Sequence, residues 1–171
     1  MQDLDERGRY RRLRIQIHRL SPRETLKALG IGVLTSLLLS AIMVPAFKFG
    51  VAPLPRPPSL AFAQLLLGEN VPLPVGLLFH IAYVTFWGVV YVWLLWDRLT
   101  LLNALWLGLV LWIVILVVFF PLFGWGFVGL SISPKLIPAS LVPHVLFAVF
   151  LWGLCRIGFR KTTLSDEDQA T

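Results

Sequence analysis

Two histidines carry most of the chemical capacity found inside apolar sequence here. His80 opens "HIAYVTFWG" and His144 opens "HVLFAVFLWG". Each has a phenylalanine six residues on, and the Trp-Gly pairs fall one residue apart in register. An imidazole in an apolar run has two uses. It can hydrogen-bond a carbonyl released by a proline or glycine break, or a hydroxyl such as that of Tyr83 or Ser140, because polar groups buried in lipid need partners. Alternatively, two imidazoles can ligate a haem or a metal between helices. The structural use is the expectation. Haem is the alternative, with Phe86, Trp87, Phe147 and Phe150 around it. Two neutral imidazoles with no carboxylate near them in sequence make a weak site for a bare metal ion. The third histidine, His18, lies in a basic segment and reads as a solvated or lipid-head contact.

Other chemistry is sparse. No Asp, Glu, Lys or Arg falls in the middle of a long apolar run; Lys27 and Arg156 lie near the ends of the first and last spans, and Lys48 and Asp97 sit at edges. Intramembrane ionisable groups mark proton and ion pathways, so their absence argues against a proton-coupled pump acting as a monomer. There is no H-E-x-x-H, no G-x-x-x-x-G-K-[ST] phosphate loop and no serine elbow. The single cysteine, Cys155, excludes an intramolecular disulfide and a multi-cysteine metal cage. It reads as a small buried or lipid-facing residue, with lipidation as the alternative. A non-enzymatic protein is expected.

The elements that position the histidines follow from composition and punctuation. The 171 residues are 57% hydrophobic and 14% charged, with mean hydropathy +0.80. A soluble domain carries about 25% charged residues, so the chain belongs to the membrane class. Residues 1–21 form a basic arm. Tyr10, Leu13, Ile17 and Leu20 recur at helical spacing, which predicts an amphipathic interfacial helix. "SPRE" at 21–24 offers Ser21 as a cap, Pro22 at the first helical position and Glu24 to close a capping box. The spans are expected at 25–47, 75–96, 101–120 and 139–159. The histidines then lie about five residues inside their spans, roughly 7–8 Å deep. "SLAFAQLLLG" at 59–68 predicts a short helix capped by Ser59 and stopped by Gly68, lying on the membrane surface or against the bundle. "DRLT" at 97–100 is a tight turn that should make spans two and three antiparallel neighbours. Residues 160–171 are a polar tail.

The chain also writes one phrase twice. "PAFKFG" at 45–50 and "PLFGWG" at 121–126 are both Pro-x-Phe-x-aromatic-Gly. Each closes a long apolar run, and each is followed by a loop and a span with a histidine near its start. The expectation is an all-α integral membrane protein of four helices, built as two repeated helical hairpins running the same way through the membrane. Pro45 and Pro121 would stop the first helix of each hairpin, and Gly50 and Gly126 would permit the turns. Gly88 and Gly153, with Gly30, Gly32 and Gly108, would allow close helix approach. Trp93, Trp96 and Trp125 suit interface belts, and Trp87, Trp112 and Trp152 sit deeper.

Basic residues fix the expected orientation. Eight of the 15 lie before or at the start of the first run: Arg7, Arg9, Arg11, Arg12, Arg14, Arg19, Arg23 and Lys27. Attached to a membrane anchor, such an arm lies against anionic lipid head groups, and nucleic acid is not the expected partner. With Arg98, Arg156, Arg160 and Lys161 one side of the membrane collects 12, against 3 (Lys48, Arg56 and Lys135) on the other. The positive-inside rule places both termini and the 97–100 turn in the cytoplasm.

A proline and glycine-rich loop followed by a span opening on histidine resembles small prokaryotic four-helix inner-membrane proteins of the YagU type. Pro121, Gly124, Gly126, Gly129, His144 and Gly153 carry the resemblance, with His80 and Gly88 in the first half, over residues 25–159. The basic arm and the proline-rich first loop lie outside the pattern. The resemblance implies an inner-membrane location and no established activity. The first expectation for function is therefore an accessory or scaffold subunit, self-associating or bound to another membrane protein. A bis-histidine haem protein and a carrier of a neutral or lipidic solute are the alternatives. The orientation predicts that, with Cys155 replaced by serine, Glu69→Cys reacts with an impermeant maleimide on intact cells. Asp97→Cys should react only after permeabilisation; the reverse pattern would invert the topology.

Overall fold

The computed structural model describes residues 20–159. The basic residues up to Arg19, His18, the arm's amphipathic helix, Arg160, Lys161 and the polar tail lie outside the described residues. The protein is all-helical, with no strand among the described residues. Four helices are long and apolar enough to cross a membrane: α1 (Pro22–Lys48), α3 (Leu73–Leu94), α4 (Leu101–Leu122) and α5 (Leu136–Gly158). A shorter helix, α2 (Pro58–Leu67), sits between the first two. This is a multi-pass membrane protein. "Upper" below denotes the end of the bundle where α1 finishes and α5 begins.

α1 starts as its sequence dictates. The Ser21 side chain accepts from the Glu24 N–H at 3.3 Å, and the Ser21 N–H donates to Glu24 Oε2 at 2.7 Å. Two otherwise orphaned donors are satisfied. The helix does not stop at Pro45, which lies inside it. Proline's fixed φ suits a helix, and here it forfeits one bond in the last turn. Pro121 is likewise carried inside α4, which loosens into a π-helical turn over Ile115–Phe119 just before it. The real stops are left-handed glycines, Gly50 at φ 68° and Gly124 at φ 75°. Gly50 N–H donates to Phe47 O and Val51 N–H to Ala46 O; Gly124 N–H donates to Pro121 O and Trp125 N–H to Phe120 O. These are matching Schellman caps. The cap of α4 therefore falls two residues earlier, relative to its proline, than that of α1. Gly126, at φ 77°, serves a separate turn, where a side chain would collide with Ser131.

Packing pairs α1 with α3 and α4 with α5, and α1 also packs on α5. Three glycines let backbones nearly touch, Gly76 among them, where a Cβ would lie 2.8 Å from Leu60 Cα of α2. A Cβ on Gly32 would lie 2.7 Å from Thr85 Cα, and one on Gly108 would lie 2.8 Å from the His144 carbonyl oxygen. Gly88 meets Gly32 in the same crossing, where its Cβ would stand 3.2 Å from Gly32 Cα. Gly30 and Gly153 face open space, so neither mediates the close approach expected of it. Cys155 is fully buried in the main core. A second, upper core forms around Leu54, Leu116, Phe120, Trp125 and Leu136. Trp125 is thus buried rather than an interface anchor, its ring 5.1 Å from that of Phe120.

α3 and α4 depart from expectation. Although a short connection joins them, they scarcely touch along their lengths. At the lower end the connection is fixed: the Tyr91 hydroxyl donates to Thr100 O at 2.9 Å, and Asn103 Nδ2 donates to Arg98 O at 2.7 Å. At the upper end Phe62 of α2 stands between the two spans, in edge contact with Phe79 at 5.8 Å and Phe119 at 5.7 Å. α2 begins one residue before Ser59, without a side-chain cap, and lies against the bundle. Gly32→Ala should destabilise the protein by about 1–3 kcal/mol, because the added methyl meets backbone that must shift. Gly30→Ala should be neutral or stabilising by up to about 1 kcal/mol. Denaturant unfolding in mild detergent, followed by circular dichroism, separates the two.

Candidate functional site

The splay of α3 and α4 leaves a cavity of about 630 Å³ in the upper half of the bundle. That is within the ~300–1,000 Å³ range of small-molecule sites. Leu39, Val84, Leu111 and Phe147, all buried, belong to both its wall and the packed core, which closes it below. α3 contributes Tyr83, Phe86 and Trp87, and α4 contributes Ile115 and Phe119. Phe62 and the proline-rich segment at 57–58 roof it. Both α3 and α4, the joined spans that do not pack, border it. Phe86 and Tyr83 are exposed there, so the mouth faces laterally, toward lipid.

Both histidines line this cavity, and His144 also borders a smaller one of about 210 Å³ between α4 and α5. The upper helices begin earlier than the sequence suggested, α3 at Leu73 and α5 at Leu136. The rings are therefore deeper than expected, about 10–12 Å along their helices. Pro138 and Pro143 do not delay α5. Pro138 occupies the first turn, where its missing N–H has no helical acceptor anyway, and Pro143 is carried inside the helix.

The two rings are held differently. His144 Nδ1 lies 2.7 Å from the Ser140 carbonyl oxygen, one turn back on its own helix. A carbonyl can only accept, so Nδ1 carries the proton. In the neutral ring Nε2 then presents a lone pair. That nitrogen makes no hydrogen bond, and it is not among the buried unpaired atoms. The His80 ring lies beside the Ser36 carbonyl of α1. Its Nε2 is sealed from the surface without a hydrogen-bond partner. The structure thus brings the histidines into one cavity, but leaves just one of them an open ring nitrogen. The expected carbonyl partner exists for His144, although it is that of Ser140 and not the Ala139 carbonyl that Pro143 releases.

Two serine hydroxyls of the lining are engaged. Ser140 Oγ donates to Ile137 O at 3.0 Å and accepts from Trp112 Nε1 at 3.1 Å. Ser40 Oγ donates to Ser36 O at 2.8 Å. Among the described residues no three His, Cys, Asp or Glu side chains group as metal ligands. Lys48 is the one charged residue in the lining and sits at the upper rim. Beyond it, Arg56 bonds Gln64 on α2 and pairs with Glu69 at 3.3 Å, tying the first loop to the end of the short helix. What sequence reasoning missed is the cavity itself, together with Phe62, Phe119 and Ser36. The sole signal was a short helix carrying one aromatic among small and aliphatic residues.

No protein-family model matches the chain, and no curated protein or solved structure is significantly similar to it. The site defines the class: a four-span helical membrane protein with a lateral, aromatic-lined cavity in one half of the bundle. Phe62→Ala should release α2 from both spans. Amide exchange over residues 58–67 is expected to speed up about tenfold or more, with α1 and α5 unchanged, read by mass spectrometry. Unchanged exchange would mean that Phe62 does not hold the roof.

Proposed function

We propose that this protein is a non-enzymatic membrane protein that binds or carries a neutral, lipidic solute in the upper cavity. The observation that carries the reading is the cavity's combination of volume, apolar lining and lateral mouth. A solute entering from water would cross a charged or polar vestibule. This mouth is bordered by Tyr83 and Phe86 on one side and by α4 on the other. An apolar molecule gains from leaving lipid only through shape and dispersion, which close aromatic walls supply. This ranks the carrier above the accessory subunit that composition alone favoured. Exposed apolar side chains along the spans are expected of any lipid-facing surface and do not point to a protein partner.

The location we propose is the cytoplasmic (inner) membrane, with both termini in the cytoplasm, on the strength of the 12-to-3 division of basic residues. The cavity then lies in the outer leaflet half, and the basic arm meets anionic head groups on the inner side. We also read α1/α3 and α4/α5 as a duplicated hairpin. Matching Schellman caps and the two cavity-lining histidines support that reading, although the caps are offset by two residues from the repeated prolines. The YagU-type resemblance agrees with this architecture and adds no activity.

Filling the mouth tests the function. Ala82 is exposed and lines the cavity, so Ala82→Trp should narrow the entrance without overpacking the core. An apolar fluorescent probe that partitions into wild-type protein in nanodiscs should bind Ala82→Trp at least about fivefold more weakly, with unchanged circular dichroism. Equal binding by both proteins would remove the cavity from the function.

A further inference from the structure

We infer that the solute carries a hydroxyl group, and that His144 Nε2 accepts its hydrogen bond deep in the cavity: the ligand is a neutral long-chain lipid alcohol. The inference rests on the carrier reading above and names the class of molecule carried.

Three observations converge on it. First, the tautomer is set by geometry. The Ser140 carbonyl, at 2.7 Å, takes the Nδ1 proton, so the open nitrogen is an acceptor and its partner must be a donor. Second, two serine hydroxyls of the lining cannot take that partner's place. Ser140 Oγ and Ser40 Oγ are engaged within the protein, and His80 Nε2 is sealed. An acceptor left open in an apolar cavity forgoes the hydrogen bond that a buried polar group ordinarily makes. A hydroxyl delivered by the ligand supplies it. Third, depth selects a neutral head. The His144 position is about 12 Å below the start of α5, and no charged residue lines the cavity there. A phosphate taken to that depth would lose its hydration without a counter-charge. An anionic phospholipid would instead keep its head at the rim, beside Lys48, and would leave the His144 lone pair unpaired.

The experiment uses the full chain in nanodiscs and two probes that differ by one hydrogen-bond donor: dioleoylglycerol and its methyl ether. Native mass spectrometry and competition with the fluorescent probe read the affinities. Wild type should bind the alcohol about tenfold more tightly than the ether. His144→Phe should bind both at the ether's affinity, and His80→Phe should keep the preference. The comparison of the two probes on wild type stands even where a variant fails to fold. Equal affinity for alcohol and ether, with binding still lost in Ala82→Trp, would overturn the hydroxyl and leave the carrier reading intact. Failure of both probes to bind would overturn both. Tighter binding of phosphatidylglycerol that is lost in Lys48→Ala would move the head to the rim and overturn the inference. A Soret band in the purified protein, lost in His144→Phe, would assign the open nitrogen to haem iron instead.

Discussion

Helices in lipid gain little from burying apolar side chains against one another, because the solvent is equally apolar. What holds this bundle is close backbone approach at a few glycines. Gly32 against Thr85 and Gly88 locks α1 to α3, and Gly108 against the His144 carbonyl locks α4 to α5. A Cβ on Gly88 would stand 3.5 Å from Leu151 Cδ1 of α5, so this side chain joins the two pairs. All the other packing is arranged around these contacts. Where backbones approach, no room remains. Where they diverge, above Leu39 and Leu111, aromatic rings line a void too wide for them to fill. The cavity is the geometric complement of the glycine crossings.

The prolines act within the same economy of backbone hydrogen bonds. Pro45, Pro121 and Pro143 each remove one donor from a span, yet none ends its helix. In α4 the cost is absorbed by the π-helical turn at Ile115–Phe119. That stretch includes Ile115 and Phe119, which face the cavity. Pro143 directly precedes His144, whose ring bonds the carbonyl one turn back. Helix irregularity and cavity lining therefore coincide, as is common where a bundle is shaped for a ligand.

Much of the architecture was legible in the sequence because it depends on local chemistry. The Ser21–Glu24 box, the Gly68 stop and the four spans follow from residue type and spacing. Other features depend on relations between helices. Gly30 and Gly32 look alike in sequence, but two residues are about 200° apart around a helix, and one of them faces Thr85. Gly88 and Gly153 occupy matching places in the two histidine phrases, and just the first meets another backbone. Trp125 looks like an interface residue until the upper core folds over it. The repeated Pro-x-Phe-x-aromatic-Gly phrase pointed to Gly126 as the partner of Gly50, whereas the cap chemistry selects Gly124. The histidines could be named from sequence. Which ring nitrogen stays open could not, because that is decided by the Ser140 carbonyl on one ring and by the wall around the other.

The fixed lower turn between α3 and α4 gives the mouth a mechanical character. Tyr91 and Asn103 clamp the connection at 98–100, so the two spans, each packed on its own partner helix, are joined at the lower end. Each span has 22 residues and is about 33 Å long. A tilt of about 5° between the spans would carry the far end about 3 Å. Phe62, held by edge contacts, is the latch at that far end. Because α3 is packed on α1 and α4 on α5, widening the gap requires the seam between α1 and α5 to give.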